Sequence, residues 1–172
     1  MLVFDIETNG LIPDVDEIHC LSIYDTDEDH LETYNNQKDN KYPVHTGLQR
    51  LCDADCIAGH NIINYDLRVC NSIYNWFKIT GNVVDTLLLS HLFHPNIIEI
   101  DKKHKWPNMP MQLYGRHSLE AYGHRLGEYK GGFGKTTDWK SWSQEMQHYC
   151  EQDVRVTTKL CKHFHPYLTG AR

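Results

Sequence analysis

A chain of 172 residues, 40% hydrophobic and 23% charged, is long enough to bury the core of one domain and has the composition of an ordinary globular protein. No apolar run approaches the ~20 residues that span a bilayer, and no signal peptide precedes the core-like start Met1–Phe4, so a helical membrane protein is excluded and the cytoplasm is expected. A net charge of −6 weighs against a protein that holds a polyanion mainly through phosphate contacts, unless the contact is short or divalent cations reverse the local field.

The segment Met1 to Glu7, before the turn signal Asn9-Gly10, is predicted as a strand, followed by strands at Ile18–Tyr24 and Leu31–Tyr34. Gly47–Asp53 is predicted as a short helix, Cys56–His60 as a short buried strand, and Tyr65–Trp76 as a helix with Leu67, Cys70, Ile73 and Tyr74 on one side. Val83-Val84 leads into Asp85-Thr86, a helix start for Leu87–Phe93 that stops before Pro95. Asn96–Arg116 is polar, basic and proline-containing and is predicted as an exposed loop. Ser118 caps a helix over Leu119–Leu126 that Gly127 ends, Lys130–Lys135 forms a basic loop, and Ser143 caps a last helix through about Phe164. Three strands followed by alternating helix and strand, without repeats or a linker, predict one α/β domain over residues 1–172: a central mixed β-sheet flanked by α-helices. The six cysteines show no regular framework and are expected as reduced thiols.

Alternate residues of a strand face the same side, so Asp5 and Glu7 project together while Phe4 and Ile6 enter the core. Two neighbouring carboxylates repel unless a cation relieves them, and hard ions such as Mg²⁺ or Mn²⁺ prefer such ligands. Taken alone, the pair is better explained as two solvated acids. Asp66 follows a Gly-His-Asn strand end, where α/β sheets place ligands, although an acid also suits a helix start. Tyr149 and Asp153 are four apart on the last helix and share a face. Two acids on the first strand, one at a helix start and one on the last helix beside a phenol make the kind of set that a two-metal phosphodiesterase requires.

Asp5-Ile6-Glu7-Thr8, Asn61 to Asp66 and Tyr149-Cys150-Glu151-Gln152-Asp153 resemble, in order, the three motifs of the DEDD 3′→5′ exonuclease superfamily. The stretch His117 to Glu128 is similar to the segment before the third motif in phage family A DNA polymerases. The resemblance spans nearly the whole chain and is closest to the proofreading domain of podovirus-type polymerases. It implies a ribonuclease H-like fold and a 3′→5′ exonuclease that releases nucleoside monophosphates from single-stranded or frayed DNA. Asp5, Glu7 and Asp153 would then hold one divalent cation, and Asp5 with Asp66 would position a second, Mg²⁺ or Mn²⁺. One cation would generate hydroxide from water and the other would stabilise the leaving 3′-oxygen. Tyr149 would orient the attacking water, Thr8 and Leu11 would line the pocket of the last nucleotide, and Asn61 would lie near it. Here Asn61 stands five residues before Asp66, where many relatives have four, which loosens that last assignment. A DNA polymerase is the implied partner, and single-stranded DNA 3′ ends are the implied substrate.

His148 precedes Asp153 by five residues, the spacing of the histidine branch of the superfamily, whereas Tyr149 fits the tyrosine branch. On a continuous helix Tyr149 lies about 40° from Asp153 and His148 about 140° away, which favours Tyr149. Asp85 is expected to cap a helix. Lys102, Lys103, Lys105 and Trp106 in one loop, and Lys130, Phe133, Lys135 and Trp139 in another, are candidates for pairing with phosphates and stacking on bases. His91 with His94, and Cys52 with Cys56, lack the partner pair a zinc site needs. The start at Met1 and the short tail after Tyr167 favour a free-standing gene product over a domain cut from a polymerase. An RNA-directed exonuclease of the same superfamily and a non-catalytic nucleic-acid-binding domain are the alternatives.

Overall fold

The computed structural model describes residues 1–128 and 138–170. Three strands, β1 (Leu2–Thr8), β2 (Ile18–Asp25) and β3 (His30–Asn35), form an antiparallel meander. After α1 (Val44–Cys52), the chain adds β4 (Cys56–Gly59) parallel to β1 and, after α2 (Asp66–Ile73), β5 (Asn82–Asp85) parallel to β4. The resulting order β3-β2-β1-β4-β5 leaves β1 in the middle of a mixed sheet. There follow α3 (Thr86–Phe93), α4 (Ile97–His104), a 3-10 turn (Met111–Leu113), α5 (Leu119–Arg125) and the long α6 (Gln144–Thr169). Among the described residues no helix is long and apolar enough to cross a membrane.

Strand alternation decides which side chains face which layer. Leu2, Phe4 and Ile6 of β1 join Leu21 and Ile23 of β2 in the main core, against Leu48 and Leu51 of α1 and Val69 of α2. Phe4 is 1% exposed, and truncating such a ring costs roughly 3–5 kcal/mol. The other face carries Val3, which packs with Ala58 and with Val154 of α6. Two polar ties pin α6 across the sheet: Gln147 accepts from Asn35 Nδ2 at 3.1 Å and donates to Ser22 Oγ at 3.3 Å. The central strand is thus enclosed on both faces, and only its C-terminal end opens to a functional rim.

The structure departs from the sequence expectations in several places. Asn96–Arg116 is not an open loop, because α4 and the 3-10 turn occupy much of it. The helix was hidden because its buried residues are Ile97 and an acid, Asp101, so the apolar period is missing. Asp101 is fully buried and accepts from Arg125 Nε (2.9 Å) and Nη2 (2.7 Å), Trp106 Nε1 (2.8 Å) and the Gly115 N–H (2.9 Å). Burial alone would raise its carboxyl pKa, but the Arg125 hydrogen bond and the others outweigh this and hold it below the usual value. Trp106, whose ring lies tilted against His104 and beside Met109 and Leu113, is tied to this network through its indole N–H. The first helix begins at Val44 and α2 stops at Ile73, where Tyr74 turns extended. The last helix runs past Pro166 to Thr169 and ends on Gly170, whose φ of 68° suits glycine. Lys130, Phe133 and Lys135 lie outside the described residues.

Candidate active site

Asp5 and Glu7 stand on the α6 face of β1, and their carboxylate oxygens lie within 4.8 Å of each other and of the Cys150 sulfur. Cys150 is not a convincing third ligand. Burial, and then a hydrogen bond with Cys20, pushes its thiol well above the ordinary value, and its S–H donates to the Asp5 carbonyl at 3.3 Å. It stays protonated and works as a packing contact that fixes α6 against the acid-bearing strand. Its soft sulfur also suits a hard cation poorly.

Asp66 reaches the same rim because β4 separates from β1 after Ala58, the last paired residue. At the separation Gly59 is required: a Cβ there would sit 2.2 Å from Ile62 Cγ2 and 3.0 Å from the Phe4 carbonyl. The Ile6 N–H, released from strand pairing on this side, donates to the Asp66 carboxylate. Burial, together with the charges of Asp85 and Asp153, nevertheless pushes the Asp66 carboxyl up to about 7. This buried acid (4% exposed) has other acids for neighbours, and a divalent cation is the natural means of relieving that crowding.

The loop that carries Asp66 is held by Asp85. One carboxylate oxygen accepts the N–H groups of Asn61 and Leu87, each at 2.9 Å, and the other accepts that of Ile63 at 3.1 Å. Asp85 thereby caps α3, as expected, and also locks the turn in which Asn61 takes a φ of 65°. Asn61 itself lines a cleft with His60, Leu87 and His117, separate from the one that holds Thr8 and Leu11.

The last helix contributes Tyr149 and Asp153. Asp153 is 6% exposed and Tyr149 is half-buried, next to the Cys150 that touches Asp5. His148 is exposed on the far side, 3.2 Å from Gln144 Nε2. Beside the acids opens a cleft of about 400 Å³ lined by Glu7, Thr8, Leu11, Tyr65 and Trp139. Thr8 Oγ1 lies 2.6 Å from the Tyr65 hydroxyl, and both meet the Gly10 carbonyl, which fixes the turn that presents Leu11. Leu11 is 74% exposed, unusual for so large an apolar side chain. Burial raises the Tyr65 phenol pKa, the Thr8 hydrogen bond offsets part of this, and the charges of Asp66, Glu7 and Asp5 add to the rise. Tyr65 was not singled out from the sequence for the site, and the only available signal was an aromatic next to Asp66. Trp139 was expected to serve from a loop, without this cleft in view.

A five-stranded mixed sheet in this order, with an acidic rim and a partly apolar cleft beside it, is the architecture of a ribonuclease H-like fold. A family model for the RNase H superfamily matches residues 2–165, and the chain belongs to that superfamily. Within it, the chain is similar over nearly its whole length to phage DNA polymerases. It is 30% identical over 196 residues to the DNA-directed DNA polymerase of Enterobacteria phage T3 and 29% over 194 residues to that of Escherichia phage T7. Each match covers 96% of this chain, which spans 27% of the length of these relatives. In fold it resembles Brucella melitensis NrnC bound to pGG (TM-score 0.59, 18% identity, 96% of this chain and 74% of that one). It also resembles a zinc-bound complex of E. coli ExoI with single-stranded DNA (TM-score 0.53, 17% identity, 99% and 42%).

Proposed function

We propose that the chain removes nucleoside monophosphates from the 3′ ends of single-stranded or frayed DNA, in the cytoplasm, with two divalent cations, Mg²⁺ or Mn²⁺. The observation that carries this reading is the Asp5–Glu7 carboxylate pair on β1 beside a buried Asp66, whose carboxyl is raised by burial and then by the charges of Asp85 and of Asp153 on α6. Carboxylates are the ligand type that hard cations take, and crowding that is costly without a cation favours its binding. Asp5, Glu7 and Asp153 hold one ion and Asp5 with Asp66 the other. Bound there, the cations supply acidity to the attacking water and neutralise charge on the leaving 3′-oxygen.

The protein groups do the rest. Tyr149 orients the water, since a phenol is a weak base but a good hydrogen-bond partner. The cleft beside Glu7 takes the last nucleotide, where Thr8 contacts it and Leu11 wedges against its base. Asn61 contributes from the other side of the Asp66 loop. Unstacking by Leu11 selects ends that are already single-stranded. A DNA polymerase is the partner this activity would serve. The test is incubation of 3′-extended DNA and RNA oligonucleotides, labelled at the 5′ end, with Mg²⁺ or Mn²⁺. A ladder of products shortened from the 3′ end, stronger for DNA, is expected. No ladder with either ion would remove the exonuclease reading and leave a binding domain.

A further inference from the structure

The terminal-nucleotide cleft has one wall that comes from far along the chain. Trp139 shares that cleft with Thr8, Leu11 and Tyr65, and with Trp142 it packs against Cys20, Met146 and Cys150. Its main chain is tied by a long-range bond: the Nε2 of His19 lies 2.9 Å from the Trp139 carbonyl oxygen, 120 residues away. A carbonyl only accepts, so this nitrogen carries the proton. His19 is 3% exposed, and the bond is well shielded from water.

His19 reaches this position through an irregularity in the sheet. Glu7 pairs with Cys20, but the next residue, Thr8, pairs with Ile18, so β2 has one extra residue at this level and His19 is that residue. A bulge of this kind re-aims a side chain, and it is found next to functional sites more often than elsewhere. The connection before it is also knit together. Asn9 Oδ1 accepts the N–H groups of Asp16 and Glu17, and the Asn9 N–H donates to the Glu17 carbonyl.

We propose that His19 is a positioning residue that fixes Trp139 as a stacking wall for the 3′-terminal nucleobase. The proposal rests on the exonuclease reading for the identity of the ligand. An indole held in advance stacks on a base without first being ordered, and stacking tolerates any base because each has a π-face. The wall and the acids are thereby coupled: the bulge that presents His19 lies at the level of Glu7, so the base is held in register with the phosphate to be cut.

The experiment uses the whole chain and an oligonucleotide ending in 3′ 2-aminopurine, whose fluorescence is quenched by stacking. Binding is read in EDTA, so that nothing is hydrolysed. Wild type is expected to quench the probe. Trp139→Ala and His19→Leu lose the quench and bind roughly five- to a hundredfold more weakly. His19→Gln, whose side-chain amide N–H takes the place of Nε2, keeps both. In hydrolysis, the preference for a normal 3′ end over an abasic one, taken as a ratio of kcat/KM, falls by a similar factor in Trp139→Ala and His19→Leu. A merely structural role would lower both substrates alike. Wild-type quenching in His19→Leu, or loss of the quench in His19→Gln as severe as in Trp139→Ala, overturns the proposal. If His19→Leu does not fold, the Gln and Trp139 variants still decide it. A Trp139-dependent quench without hydrolysis counts against the exonuclease reading and for this one.

Discussion

Asp85→Ala removes the acceptor of three backbone N–H groups, those of Asn61, Ile63 and Leu87 at 2.9, 3.1 and 2.9 Å, in a residue only 5% exposed. A hydrogen bond to a charged group is worth roughly 1.5–3 kcal/mol, and a lost helix cap about 1 kcal/mol. Removing the Asp85 charge also relieves Asp66, whose carboxyl it helps to raise, and this offsets part of the loss. The expected net cost is about 3–5 kcal/mol, a fall in Tm on the order of 10 °C for a chain of this size. Asp85→Asn keeps one carbonyl oxygen as an acceptor and should cost about half as much. Equilibrium urea unfolding at neutral pH measures the stability, and a Mn²⁺ titration of activity measures how well the freed loop still presents Asp66. The Mn²⁺ midpoint should rise in both variants, more in the alanine. A cost under about 1 kcal/mol for Asp85→Ala with an unchanged Mn²⁺ midpoint would show that the Asn61–Asp66 turn is held by something else.

Tyr149→Phe should lower kcat at least tenfold while His148→Ala keeps most activity, because His148 is exposed and directed to Gln144; the reverse order in steady-state assays would move the water-orienting role to the histidine. Folded Asp66 holds its proton up to about 7, whereas the unfolded chain releases it near 3.8. Metal-free protein should therefore lose up to about 4 kcal/mol of stability as pH rises between those values, and bound Mn²⁺ should reverse the loss. Melts at pH 5 and 8 in EDTA and in Mn²⁺ test this, and an equal pH effect in both would sink it. Asp101 is the opposite case: its folded pKa lies below 3.8, so its stabilisation is complete above that value and disappears as pH falls through the folded pKa. Asp101→Ala, which leaves Arg125 buried and unpaired, should cost roughly 3–5 kcal/mol at pH 7 by urea titration, and a cost below 1 kcal/mol would contradict the network described.

The parts of the molecule legible in the sequence are those where one physical period dominates. Asp5 and Glu7 could be placed on one face because β1 alternates core and site side chains without interruption. Tyr149 and Asp153 could be paired because α6 is a continuous helix at that point. Helix α4 was illegible because its buried polar residue, Asp101, breaks the apolar pattern that would have revealed it. The cleft was illegible for another reason. Tyr65 and Trp139 meet there from distant segments, one bonded to Thr8 and the other to His19, and no local period encodes that 120 residues separate His19 from its acceptor. The bulge that aims His19 is a mismatch between two strands and cannot be seen in either strand alone.

The contact between Cys150 and Asp5 joins residues 145 positions apart and brings the first strand to the last helix. During synthesis, Asp5 and Glu7 leave the ribosome well before Tyr149 and Asp153. A chain lacking α6 presents Asp5, Glu7 and Asp66 without Asp153 and the helix that completes the cluster. The order of translation therefore leaves the proposed site incomplete until α6 has emerged and packed onto the sheet.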